Sequence, residues 1–168
     1  MKKIKSNIVH IFLLTLFTTL IVSCDEDGYD DYGMETNPSI EMNGEWWIDI
    51  IDEASGDVLA QHILHKTYDT NAGDSRMFID DDQNGYWIKG TVAVDLNNFT
   101  FNTTDEENLV DPGSTFNVTD GKILKNASVT ESGVVVDSIY FKGEFSYDPG
   151  TIIIFAGHKR TGFLEDEY

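Results

Sequence analysis

Asp80, Asp82 and Asn84 stand at alternate positions just ahead of Gly85, the way the first half of an EF-hand loop presents side-chain oxygens to calcium around a sharp turn. The second half is missing, because Thr91 occupies the position of the bidentate glutamate that closes the cage. The segment therefore reads as a polar hairpin loop, with weak calcium binding as the alternative; no other cofactor is suggested. His62 and His65 fall on opposite sides of a strand and have no third ligand at an obvious spacing, which argues against zinc. For acyl chemistry there is no Gly-x-Ser-x-Gly elbow. The best serine set is Ser138 with Asp137 and His158, yet Asp137 and Ser138 point to opposite strand faces and cannot act as direct partners. Read from its residues alone, the chain looks non-enzymatic.

The remaining chemistry-bearing residue is Cys24, the single cysteine. Met1 to Ser23 read as a secretory leader: Lys2, Lys3 and Lys5 come first, then Ile8 to Val22 are apolar apart from His10 and three threonines. The apolar run is short for a membrane span, which takes about 20 residues. Ile21-Val22-Ser23-Cys24 resembles a bacterial lipobox, which implies cleavage before Cys24, acylation there and attachment to a membrane through lipid. A lone cysteine in an exported chain has no intramolecular disulfide to make, which agrees with lipidation.

Composition narrows the partners. The formal charge is −19, and removing the leader takes three of the eleven basic residues and none of the 30 acids, leaving −22. Such a field repels nucleic acid and anionic bilayers, so attachment rests on the lipid. Residues 24–39 crowd Asp25, Glu26, Asp27, Asp30 and Asp31 among glycines with little to bury, and read as an acidic flexible tether. Acids straight after the lipidated cysteine resemble the signals that carry Bacteroidetes lipoproteins to the outer face of the outer membrane. A surface-exposed and a periplasm-facing anchor both remain open.

Residues 40–168 are enough for one domain. Tyr86, Ile88, Val92, Val94 and Leu96 share one face of a period-2 run, and similar stretches recur at 45–51, 58–68, 76–80, 98–101, 115–119, 122–130, 134–147 and 151–158. Asp120-Gly121 and Asn97-Asn98 suit hairpin turns, and Ser55-Gly56 and Asp148-Pro149-Gly150 mark other reversals. About eight antiparallel strands in successive hairpins must hide two edges. Closing into an up-and-down barrel does so, with a β-sandwich as the alternative. Gly90 and Gly143, alone inside long strands, suit the bends of a small closed sheet.

Gly44-Glu45-Trp46-Trp47, Asp120-Gly121-Lys122-Ile123, Asp137 to Phe141 and the ending Gly157 to Phe163 together resemble the Bacteroidetes lipoproteins called lipid-binding putative hydrolases. The resemblance covers most of residues 40–168. Those proteins are similar to calycins, which implies a barrel over a sandwich and a hydrophobic ligand; no catalytic residue is carried across.

Aromatic residues occur on nearly every strand, and Trp46, Tyr86, Trp87, Tyr140 and Phe155 are the candidates to line a ligand site. Arg160, in the basic run His158-Lys159-Arg160, is expected at a rim. There it either receives the anionic end of an amphiphile or packs over Trp46 or Trp47, as an arginine on the last strand does in lipocalin-like barrels. Three functions follow: a lipid-anchored barrel that binds a hydrophobic or amphiphilic small molecule, an esterase-type hydrolase, and a non-enzymatic accessory subunit partnered with an outer-membrane protein.

Overall fold

The computed structural model describes residues 41–167; the leader, Cys24 and the acidic tether lie outside them. Eight strands follow in chain order: β1 (Gly44–Asp52), β2 (Val58–Asp69), β3 (Arg76–Asp80), β4 (Lys89–Asp95), β5 (Thr100–Glu107), β6 (Thr115–Val129), β7 (Val135–Phe145) and β8 (Asp148–Lys159). Each pairs antiparallel with its sequence neighbour, and β8 returns to β1 to close an up-and-down barrel. That last pairing, from Trp46↔Lys159 to Asp52↔Ile153, removes both free edges and rules out the sandwich.

Side-chain alternation builds the core. Trp46, Ile48 and Ile50 of β1 point inward while Trp47 and Asp49 point out, and Ile88 and Val92 occupy the inner face expected of the fourth strand. Phe101, Phe116, Phe141, Phe145 and Phe155 fill the interior, none more than 1% exposed. Phe141 and Phe155 stack with centroids 4.5 Å apart. An eight-stranded barrel encloses about the space that side chains can occupy, and here they occupy it.

Close approach decides several glycines. Gly157 lies between Ile48 of β1 and Ile139 of β7, where an added Cβ would stand 1.9 Å from the Trp47 carbonyl oxygen. Gly90 and Gly143 face inward, and their missing side chains make room for the rings of Phe116 and Phe155. Space for phenylalanine, more than backbone bending, accounts for these two.

Three turns lie elsewhere than the sequence pattern places them. Asp120-Gly121 is not a hairpin turn: β6 runs unbroken through it, and the register against β7 slips between Thr119 and Lys122. The pair forms a β-bulge with Asp120 at φ 56°, so 115–119 and 122–130 are one strand. In the β4–β5 turn the positive φ falls on Phe99, while Asp95 accepts from the Asn97 backbone and the Asn98 side chain. The β7–β8 reversal lies at Ser146-Tyr147, one step ahead of Asp148-Pro149-Gly150, since Phe145 pairs with Asp148. The turn at Ser55-Gly56 is as expected, with Gly56 at φ 75°.

Candidate ligand-binding mouth of the barrel

One end of the barrel is covered by the segment between β3 and β4, which Asp81 shapes. Its carboxylate, fully buried, accepts backbone N–H bonds from Gln83 (3.0 Å) and Gly85 (3.1 Å). Its own amide donates to the Ile88 carbonyl, and its carbonyl accepts from Asn84. These bonds turn the chain back over the opening, with Asp82, Gln83 and Trp87 at positive φ. A Cβ on Gly85 would touch Ile50, Asp81 and His65, so the loop sits directly on the barrel contents.

The next residues project the aromatics. Tyr86 packs against Phe145 (5.1 Å) and meets Phe155 edge-on (6.5 Å), which joins the mouth to the core. Tyr147, at the tip of the β7–β8 hairpin, stacks on Phe145 at 5.2 Å, and its hydroxyl donates to the Tyr86 carbonyl at 3.1 Å. Trp87 remains 54% exposed and Tyr147 48%. Asn108, fully buried, fastens this loop to the β5–β6 connection: its amide donates to the Trp87 carbonyl (2.7 Å) and its oxygen accepts from the Lys89 amide (3.2 Å). Asp111 follows, and with Gly85, Tyr86, Trp87 and Tyr147 it lines an open cleft of about 380 Å³.

The electrostatics of the mouth are one-signed. Burial, then Tyr86, Asp111, Asp81 and Asp148, hold the Tyr147 hydroxyl protonated well above its usual range. Burial, then Asp148 and Asp52, push Tyr86 the same way. Beneath the loop, His65 is 1% exposed, and its Nδ1 lies 3.2 Å from the Ile63 carbonyl, which can only accept. Nδ1 therefore carries the proton, and Nε2, an acceptor, has no hydrogen-bond partner among the described residues. Burial lowers the His65 pKa against the opposing pull of the Ile63 carbonyl, Asp81 and Asp80.

Of the residues singled out in the sequence for a ligand, Tyr86 and Trp87 share this cleft and the others do not. Trp46 and Phe155 are interior, the Trp46 Nε1–H donating to Thr67 Oγ1 at 2.9 Å. Tyr140 faces outward under Lys122, whose Nζ is 5.0 Å from the ring centroid, beside a separate surface hollow. Arg160 takes the structural part: its guanidinium lies 5.7 Å from the Trp47 ring centroid and pairs with Glu45 and Glu167, tying the end of β8 to β1. Lys159 sits similarly over Trp46, at 5.8 Å.

The calcium-like residues do not converge. Asp80 pairs with Lys89 (2.7 Å) and accepts from the Tyr68 hydroxyl, Asp82 pairs with Lys66 (3.3 Å), and the Asn84 amide donates to the Asp82 carbonyl. Among the described residues no three His, Cys, Asp or Glu side chains are grouped to hold a metal. His62 and His65 are split as expected, His62 stacking on Trp47 outside the barrel. Ser138 and His158 are cross-strand partners, but Ser138 Oγ makes no hydrogen bond among the described residues. His158 Nδ1 is directed at the Lys159 carbonyl (3.3 Å), and Asp137 is taken by Lys125 and the Asn126 amide. A serine triad is not assembled.

Tyr147 and Asp111 carry no motif and were missed in the sequence; their only signal is position, one at a hairpin tip and one in a loop.

A closed eight-stranded barrel with an aromatic cleft at one mouth has the form of a small ligand-binding β-barrel. Residues 31–164 match the model of a family described as lipid-binding putative hydrolase, and the chain belongs to that family. Membership and barrel together fit a lipid-binding role. No curated protein matches the sequence.

Proposed function

We propose that this protein binds a lipid or other amphiphile at the Tyr86-Trp87-Tyr147 mouth, and that a lipid on Cys24 holds it at the outer membrane. The supporting observation is the placement of half-exposed aromatic surface over an interior already filled by side chains. Apolar contact with a ligand is thus available at the mouth without displacing the core. A monoacylglycerol brominated on its tail tests the site, because bromine quenches tryptophan only at close range. Quenching is expected and should largely vanish in Trp87→Phe, leaving Trp46 and Trp47 emitting. Undiminished emission of the unaltered protein at saturating lipid would refute the site. The anchor is tested separately by Cys24→Ser, which should move the protein out of the membrane fraction.

A further inference from the structure

The mouth has a chemical bias beyond apolarity. The Asp111 backbone is fully used, its amide donating to Asn108 and its carbonyl accepting from Ser114. Its carboxylate, in contrast, takes part in no hydrogen bond or ion pair among the described residues, although it lines the cleft beside three aromatic rings. Asp52, Asp81 and Asp148 add negative potential at Tyr86 and Tyr147. The lysines of the neighbouring strands are committed elsewhere, Lys89 to Asp80 and Lys142 to Glu53 and Asp120.

From this arrangement we infer that the cleft receives the positively charged head of an amphiphile, a quaternary ammonium or similarly alkylated amine. The inference rests on the mouth being the lipid site, and it names the head group that site selects. Aromatic faces carry the negative lobe of the ring quadrupole and attract a cation within about 6 Å of the centroid, most strongly one that sheds water easily. Alkylated ammonium does so, and the Asp111 carboxylate supplies its counter-charge. An anionic head meets the field of four carboxylates. A sugar head would need several hydrogen-bonding groups at once; with the Tyr147 hydroxyl already bound to the Tyr86 carbonyl it would lean on the Asp111 carboxylate, which gains more from a cation than from a neutral hydroxyl. The volume of about 380 Å³ leaves room for a trimethylammonium group and the first carbons of a chain.

The test uses the full-length protein and three amphiphiles of one chain length, each below its micellar concentration: octyltrimethylammonium, octyl glucoside and octyl sulfate. Calorimetric titration should rank them in that order, with the cation at least about fivefold tighter than the glucoside. Tetramethylammonium, which has no tail, should compete with octyltrimethylammonium, so that recognition of the head is read apart from the tail. Asp111→Asn should weaken the cation by about threefold to tenfold and leave the glucoside unchanged. Glu131→Gln removes an exposed charge from the β6–β7 turn at the opposite end, and should change neither, which controls for the acidity of the whole protein. Equal affinities for cation and glucoside, or equal losses in the two variants, would overturn the head-group assignment while leaving lipid binding at the mouth intact. Failure of all three amphiphiles to bind would overturn both.

Discussion

Truncating Phe155 to alanine separates a filled barrel from a ligand-sized one. The ring is fully buried, stacks on Phe141 at 4.5 Å, meets His65 at 5.7 Å and touches Tyr86 from below at 6.5 Å. Loss of a buried phenylalanine costs the transfer energy of the ring plus the void it leaves, about 3–5 kcal/mol. Unfolding entropy near 2.1 cal/mol/K per residue gives roughly 270 cal/mol/K for a domain of about 130 residues, so Tm should fall by about 11–18 °C. Circular dichroism melts read this directly. The void is walled mainly by apolar groups, Phe141 and Tyr86 among them, so it should also stay dry and take up a small apolar molecule. Benzene should raise the Tm of Phe155→Ala by several degrees and leave the unaltered protein where it was. A loss below about 2 kcal/mol, or equal stabilisation of both proteins by benzene, would refute a filled interior.

Two further outcomes follow from the fold. Gly157→Ala places a Cβ 1.9 Å from the Trp47 carbonyl oxygen, a backbone atom that cannot rotate away, so the β1–β8 seam must part. A cost of about 3 kcal/mol, at the upper end for overpacking, is expected in urea melts, with Gly143→Ala costing less because its nearest contacts are ring edges; equal midpoints for the two variants would contradict the seam argument. His65 supplies a pH dependence. Burial keeps its folded pKa below the ordinary 6.5, so on acidification the unfolded chain takes a proton that the folded one resists. Stability is therefore fully present above about pH 6.5 and declines below it, by at most about 1.4 kcal/mol per pH unit from this group. His65→Gln should flatten that decline, leaving a smaller part from His62, whose pKa burial also lowers; a slope unchanged between pH 6.5 and 5 would remove His65 from the account.

The barrel was readable because period-2 alternation and the cost of free edges both act on the sequence directly. Tyr86, Ile88, Val92, Val94 and Leu96 do pack on one side, and closure follows once successive hairpins are granted. Asp120-Gly121 reads as a turn because positive φ is the same signal in a turn and in a bulge. What distinguishes them is the phase of the inward residues. Phe116 and Val118 are even, Gly121 and Ile123 odd, the slip that one inserted residue produces in a continuous strand. β2 shows the same slip around His62, whose amide donates to Asp49 Oδ1 at 2.9 Å. The mouth was harder to read. Tyr86 and Trp87 lie in one loop, but Asp111 and Tyr147 reach them from two others, and no spacing rule spans those distances. Their meeting depends on Asn108 and on the two-residue reversal at Ser146-Tyr147, which become visible only when the sheet is closed.

Energetics favour the mouth over the interior as the place where a ligand is met. Lifting the Asp81 loop forfeits the bonds that tie it to its neighbours, from Tyr147 to the Tyr86 carbonyl, from Asn108 to the Trp87 carbonyl and from the Lys89 amide to Asn108, at a net 0.5–1.5 kcal/mol each, about 1.5–4.5 kcal/mol together. Seating a tail inside the barrel would add the exposure of a displaced phenylalanine, about 1.5–3 kcal/mol more. A tail laid along Trp87 and Tyr147 incurs neither cost and still covers surface that is now half exposed. On the proposed reading, selectivity belongs to the loops: the rigid sheet sets where Tyr86 and Tyr147 stand, and the residues between the strands, Asp111 above all, would decide what head group they accept.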